Sequence, residues 1–309
     1  MLRTSTAAIL WDLARQPRFA GYFQEITDQQ LTRLHGQLLA LLTEFDAICS
    51  RHGLRYCVTA GTLIGAVRND GFIPWDDDAD LVMPREDYEQ LLELMRSSDI
   101  ATRCILQSPA DIDYPLTHAA FYDPDETFET VLGDGFDLTE PISVDVLPVD
   151  AVPLRPFSRN LRAIVFSILS RSFSSLRVLA RNDELLAELA RQDRELRWNV
   201  RMRRILAMPA VLLGQRRTFR LMERVAVCDV ANPNQVTIPL GAMGYQGEMV
   251  PAGTFFPAKR RLLSGLDVCV PADADTYLSQ RYGDYLSPPP VNRRRTRLVR
   301  RRGRWSTRM

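Results

Sequence analysis

Apolar residues in the first half of the chain follow two different rhythms. Leu31, Leu34, Leu38, Leu41, Leu42, Phe45 and Ile48 recur three and four apart, the spacing of one helical face, to about Ser50. Thr27-Asp28-Gln29-Gln30 just ahead has the pattern of a capping box, and Gly53 is a helix stop. Glu86–Met95 repeats the helical rhythm, with Tyr88, Leu91, Leu92 and Met95 inward. Between these helices the rhythm shortens. Leu54–Thr59, Asp78–Met83, Cys104–Gln107 and His118–Tyr122 read as strands, and Ile142–Leu147 alternates apolar residues with Ser143 and Asp145, as a half-buried strand does. Ala60-Gly61-Thr62 is a turn opening a second helix over Leu63–Arg68, and residues 1–25 read as irregular or weakly helical.

The pattern changes near Pro153. Phe157–Val227 is helical and rich in Arg, whereas Pro239–Pro290 carries many Gly and Pro, short strands over Leu262–Val270 and a helix over Ala274–Tyr282. The expected division is an N-terminal extension (1–26), a catalytic core (27–153), a helical section (154–235), a C-terminal part of the same domain (236–290) and a basic tail (291–309) expected to be disordered. Strands alternating with helices in the first half imply an α+β fold around a mixed sheet.

Composition is that of an ordinary globular protein, 46% apolar and 25% charged over 309 residues, enough to bury a full core. The net charge of +1 conceals an asymmetry. Arg293–Met309 holds nine Arg and no acid, which leaves 30 basic against 38 acidic groups in residues 1–292. Five scattered cysteines without a C-x-x-C pair argue against a disulfide framework or a zinc site and fit a reducing cytoplasm. Trp11, Asp12 and Arg15 interrupt any signal-peptide core, and no stretch reaches the roughly 18 apolar residues of a membrane span. The expected location is the cytoplasm, with attachment to the inner face of the membrane as an option.

The chemistry concentrates at Asp76, Asp77, Asp78 and Asp80. On a strand, residues two apart share a face, so Asp78 and Asp80 project together while Ala79 and Leu81 point inward. Two adjacent carboxylates repel unless a cation separates them, and Mg²⁺ takes one or two carboxylates plus substrate phosphates. A solvated acidic turn is the competing reading of the D-x-D alone; the flanking Phe72, Ile73, Trp75, Val82 and Met83 speak against it. Asp145 is the best third carboxylate, because it interrupts an otherwise apolar strand; Asp150, behind Pro148, is the weaker candidate. Gly61-Thr62, on a strand-turn-helix, can turn backbone N–H groups and a hydroxyl toward an anion. Arg68 could meet phosphate or could be a solvated helix-end cation. Trp75 could line the substrate pocket or pack in the core.

Ala60-Gly-Thr-Leu-Ile-Gly-Ala-Val-Arg68, Gly71-Phe-Ile-Pro-Trp-Asp-Asp-Asp-Ala-Asp80 and Met83-Pro-Arg-Glu-Asp-Tyr88 resemble the LicD family of phosphocholine and sugar-alcohol-phosphate transferases, with fukutin-type ribitol-phosphate transferases as distant relatives. The resemblance extends to Val144-Asp-Val-Leu-Pro-Val-Asp150 and Tyr282-Gly-Asp-Tyr-Leu286, so it covers roughly residues 27–290 and is least distinctive over 155–235. It implies a nucleotidyltransferase-like small mixed sheet flanked by helices, with an added helical section. It implies Asp78, Asp80 and Asp145 as catalytic acids and ligands of Mg²⁺ or Mn²⁺. Gly61, Thr62, Arg68, Trp75 and Asp76 fall on the substrate side. The implied donor is CDP-linked, such as CDP-choline or a CDP-polyol, and the acceptor a hydroxyl of a cell-surface glycan or glycolipid, as in lipopolysaccharide or teichoic acid; nucleotidyl transfer is the alternative. The chain departs from the family at Asn69, where His is frequent, at Leu263-Ser264-Gly265, where Phe-Glu-Gly is usual, and after the prolines, where arginines replace a His.

Arg159, Arg162, Arg171 and Arg177 interleave with Ile164, Val165, Phe166, Ile168 and Leu169. A core-packing helix with solvated arginines is the favoured reading, and a surface helix on anionic lipid the other. The basic tail lacks the aromatic interleaving of a nucleic-acid stacking platform, so nucleic acid is not an expected partner. His118 reads as structural.

Overall fold

The computed structural model describes residues 6–97, 100, 102–111, 118–134, 137–180, 184–291, 294, 296 and 298–300. In chain order the elements are α1 (Thr6–Ala14), β1 (Phe23–Glu25), α2 (Asp28–His52), β2 (Cys57–Val58), α3 (Ala60–Ile64), a π turn (Gly65–Asn69), β3 (Asp80–Pro84), α4 (Arg85–Ser97), β4 (Ile105–Gln107), β5 (Ala119–Asp134) and β6 (Asp137–Ala151). The helical section follows as α5 (Pro156–Ala180), α6 (Glu184–Gln192), α7 (Arg194–Leu213) and α8 (Gln215–Ala226). The chain then forms β7 (Gln235–Thr237), α9 (Gly244–Gly247), β8 (Val250–Pro251), β9 (Lys259–Leu263), β10 (Leu266–Val270), α10 (Ala274–Tyr282) and β11 (Leu298–Arg300).

Local sequence accounts for the longest core helix. At the start of α2 the Gln30 N–H donates to Thr27 Oγ1 and the Thr27 N–H donates to Gln30 Oε1, which satisfies two otherwise orphaned donors. At its end Gly53 takes φ +68°, a left-handed conformation that glycine adopts without cost. Its apolar face, from Leu31 to Cys49, packs on the sheet, each large side chain contributing about 1.5–3 kcal/mol of transfer free energy.

The central sheet runs β2-β3-β6-β5-β4, with β7 joined to the end of β6 and β8 to β7. Among the described residues only the β3–β6 pair is parallel; the connection between them passes through α4, β4 and β5. The fold thus combines helices with one mixed sheet, as expected of the α+β reading in this coarse respect. The β9–β10 hairpin turns at Ser264 (φ +51°) and Gly265 (φ +87°), the conformation of a tight two-residue turn. Leu263, Val268, Val270, Tyr277 and Leu278 join the main core, so residues 259–282 close over the same sheet.

Several boundaries differ from the sequence reading. The strand expected over Leu54–Thr59 is paired only at Cys57–Val58. The strand expected from Asp78 starts at Asp80, because its neighbour β6 pairs with it only from Asp145 onward. The N-terminal residues, read as irregular or weakly helical, form the helix α1, whose Ile9, Leu10 and Leu13 pack with Phe19 and Phe23 against Leu186, Leu189 and Leu196 of the helical section. Of the tail expected to be disordered, Leu298–Arg300 pair with β1 and Arg294 lies over Trp75; residues 301–309 lie outside the described residues.

Candidate active site

Parallel pairing of β3 and β6 sets Asp80 opposite Asp145 in register, and the Asp145 N–H donates to the Ala79 carbonyl at 2.8 Å. The sequence separates these residues by 65 positions; the sheet makes them neighbours. Ala79 and Leu81 are fully buried, so Asp80 and Asp145 are left on the open side of the strands. Asp78 precedes the strand rather than sitting on it, but its charge still acts on Asp80.

Residues 60–62, expected as a turn, form the start of α3, which completes the enclosure. A Cβ at Gly61 would lie 2.1 Å from Asp76 Oδ2, so the carboxylate of Asp76 rests directly on the backbone of residue 61. Ala60, immediately before, takes φ +48°, a strained conformation for a residue with a Cβ. Thr62 Oγ1 accepts the Asp80 N–H at 3.0 Å, and the Thr59 N–H donates to the Asp80 carbonyl at 2.9 Å. Thr62 therefore holds β3 in place through its hydroxyl. From α2, His35 stacks on Phe72 and its Nε2 donates to the Asp76 carbonyl at 2.8 Å, which fixes the loop that carries the acids.

The electrostatics follow from this crowding. Burial, with Asp78 and Asp77 adding, pushes the Asp76 carboxyl up to about 8. Burial, with Asp78, Asp145 and Asp76 adding, holds Asp80 well above the carboxylate range; Arg281 opposes the shift. Asp80 is half-buried by surface area yet enclosed by protein on most sides. The arrangement gathers acidic groups at one place, with Arg281 as the opposing charge at Asp80.

Three further residues border it, of which the sequence left His118 as structural and Arg281 unassigned. His118 Nε2 lies 2.7 Å from Asp145 Oδ2, so His118 touches a candidate acid rather than serving the core alone. Arg281, on α10, binds Glu248, Tyr277 and Tyr282 and presents its charge to Asp80. Burial pushes the Tyr282 hydroxyl up to about 12, with Asp80 adding to the shift. The Tyr282-Gly283-Asp284 motif was the available signal for this corner. His35 and His118 carried none, because their partners are distant in sequence.

The remaining candidates take other positions. Asp150 is 2% exposed and accepts two hydrogen bonds of 2.7 Å from Arg85, which also reaches Glu223 of α8 at 3.3 Å; it is a structural ion pair. Arg68 donates to the Tyr285 carbonyl at 2.8 Å and bonds Asn69, so it ties the π turn to the C-terminal segment. Trp75 packs partly against the core, with the Arg294 guanidinium 4.3 Å from its ring centre. The Ser264–Gly265 turn, where the family motif is altered, sits on the loop leading to the acids: the Ser264 N–H donates to the Asp70 carbonyl at 2.8 Å. Among the described residues, no three Asp, Glu, His or Cys side chains form a ready-made metal cage. Neither the 580 Å³ cavity beside α2 nor the 560 Å³ cavity between α5 and α7 includes any of Asp76, Asp78, Asp80 or Asp145.

Residues 53–113, which contain Gly61 and the acid run, match the family model described as LicD/FKTN/FKRP, nucleotidyltransferase domain. The chain is also 25% identical over 273 residues to the lipopolysaccharide cholinephosphotransferase LicD of Haemophilus influenzae, covering 85% of this chain and 94% of that protein. Both likenesses are to the LicD family. An uncharacterised protein of Rickettsia prowazekii is 32% identical over 76 residues, 23% of this chain and 29% of the relative. One of Rickettsia typhi is 36% identical over 58 residues, 18% and 19% respectively. In this chain, the parallel pairing of β3 and β6 brings Asp145, beyond the matched residues, beside Asp80.

Proposed function

We propose that this protein is a phosphotransferase that moves a substituted phosphate, phosphocholine or a polyol phosphate, from a CDP-linked donor to a hydroxyl of a cell-surface glycan or glycolipid. The observation that carries the reading is the register that sets Asp145 opposite Asp80 on adjacent strands, with Asp76 and Asp78 close enough to add to the raised pKa of Asp80. A stable fold tolerates such a cluster when a cation is its natural partner. The full-length likeness to a relative named as a cholinephosphotransferase supports the transferred group and a lipopolysaccharide acceptor.

The residues suit a divalent cation. Asp78, Asp80 and Asp145 would hold Mg²⁺ or Mn²⁺; an incomplete protein cage is normal for Mg²⁺, which completes its oxygen shell with substrate phosphates and water. Once bound, the ion neutralises charge on the donor diphosphate and the CMP leaving group. The protein supplies the rest. Gly61 lets the Asp76 carboxylate seat against the backbone, and Thr62 keeps Asp80 in place. One acid of the cluster, Asp76 or Asp78, accepts the proton of the attacking hydroxyl. Phosphoryl transfer is chiefly positioning and charge stabilisation, which rigid strands provide.

A screen of CDP-choline and CDP-polyols with Mg²⁺ or Mn²⁺, monitoring CMP release, tests the proposal. Asp80→Asn is expected to abolish metal-dependent turnover while the fold persists; near-wild-type CMP release from that variant would overturn the site assignment. The domain description of the family model favours one second reading, transfer of a nucleoside monophosphate. Product mass separates the two, since nucleotidyl transfer from CTP releases diphosphate and leaves CMP on the acceptor.

A further inference from the structure

The helical section leaves a large apolar surface uncovered. On α5, Phe157, Leu161, Ile164 and Ile168 are 80%, 50%, 57% and 58% exposed. Their spacing of four, three and four residues puts them on one face of the helix. The same face continues to Ser172 and Ser175, and both of these are buried. There α7 covers it, with the Ala210 N–H donating to Ser172 Oγ at 3.0 Å. α7 ends at Leu213 and leaves the N-terminal half of the stripe bare. α7 has a matching stripe of its own: Ile205, Met208 and Leu212 are 63%, 50% and 81% exposed, while Ala207 and Ala210 on its other side are buried. The opposite face of α5 is well packed, with Ala163, Phe166 and Phe173 joined to Phe219 and Met222 of α8. These helices are therefore folded and anchored, and the exposed stripes are not a packing failure.

Charge identifies the occupant. Residues 151–182 contain six Arg and no Asp or Glu, and residues 196–222 contain seven Arg and no Asp or Glu. Arg171, Arg201, Arg204 and Arg217 are exposed beside the apolar stripes. The body as a whole is acidic, so the concentration of arginine here runs against the composition of the rest of the chain. A soluble protein partner needs no such uniform positive rim, whereas an anionic bilayer meets both the charge and the apolar ridge. Among the described residues, no helix is long and apolar enough to cross a membrane.

We infer that the α5–α7 face lies on an anionic lipid surface, with Phe157, Leu161, Ile164, Ile168 and Leu212 entering the headgroup boundary and the arginines on the lipid charge. The half-buried Arg85 ties α8, which packs on α5, to the central sheet, since it binds Asp150 at the end of β6 and Glu223 on α8. The inference does not depend on the proposed chemistry.

Flotation of the full-length protein with vesicles of phosphatidylcholine alone, or with 30% phosphatidylglycerol, tests it. The protein is expected to float with the anionic vesicles and at least tenfold less with the neutral ones. The triple variant Ile164→Asp, Ile168→Asp, Leu212→Asp should lose at least tenfold of that binding with its melting temperature preserved. Arg201→Gln, Arg204→Gln, Arg217→Gln, which leaves the apolar face intact, should lose about fivefold per arginine. Absence of wild-type binding to anionic vesicles at low salt, or undiminished binding by both variants, overturns the inference. So does a wild-type dimer, by light scattering, that the aspartate variant converts to monomer, because the face would then belong to a second copy of this chain.

Discussion

Gly61→Ala isolates the contribution of one carboxylate position. The new Cβ would lie 2.1 Å from Asp76 Oδ2 and 3.1 Å from its Cγ, whereas an ordinary contact begins near 3.4 Å. The oxygen must therefore retreat by roughly 1.3 Å. The residue cannot shift as a unit, because its carbonyl accepts from His35 and its N–H donates to the Ile73 carbonyl at 2.9 Å. The side chain has to rotate away from the cluster. Misplacement of about 1 Å at a reacting centre costs on the order of 100-fold in rate, or about 2.7 kcal/mol of barrier. The fold should not suffer. Gly61 lies within α3 at an ordinary helical conformation, where Ala is favoured by up to about 1 kcal/mol, and a displaced Asp76 relieves repulsion with Asp78 and Asp77. The expected result is CMP release down about 100-fold with the melting temperature unchanged within about 2–4 °C, or slightly raised. Wild-type turnover in Gly61→Ala would refute the reasoning, because it would show that the seat of Asp76 against residue 61 is not used. A melting temperature lowered in step with activity would also refute it, by making the glycine a packing requirement.

Without divalent cation, stability should fall as pH rises from about 5 toward about 8. Asp76 and Asp80 have folded pKa values raised above those of the unfolded chain, so the folded state binds more protons in that window, and deprotonation through the folded pKa removes stability; a melting temperature that rises across the window would contradict the cluster. Arg85→Met should cost about 3–5 kcal/mol in urea denaturation, since it strands the buried Asp150 charge, and Arg85→Met with Asp150→Leu should recover most of the loss; a single variant within 1 kcal/mol of wild type would remove the ion pair from the account. His118→Ala should raise the metal concentration for half-maximal CMP release by about 10–100-fold through loss of the group that orients Asp145, with little change in melting temperature; an unaltered metal requirement would leave His118 a packing residue.

Much of the local structure was determined by the sequence itself. The capping box at Thr27, the stop at Gly53, the apolar face of α2 and the helix over Ala274–Tyr282 all depend on residues within a few positions of one another, and short-range spacing encodes them completely. The Asp76–Asp80 run and the Gly61-Thr62 pair were visible for the same reason, being contiguous in the chain. Tertiary structure decided what those residues touch. Asp145 becomes a member of the cluster, and Asp150 does not, because β6 pairs in parallel with β3 at one register; five residues further along the same strand, Asp150 meets Arg85 instead. His35, His118 and Arg281 reach the acids from a helix, a loop and a C-terminal helix, and no local pattern relates them. The apolar periodicity of α5 likewise did not tell its two faces apart. Phe166 and Ile168 are equally hydrophobic in sequence, and only the arrival of α8 on one side and the early end of α7 on the other buries the first and exposes the second. Hydrophobicity determines that a residue favours burial, but burial itself requires a partner surface, and the position of that surface is a property of the whole fold.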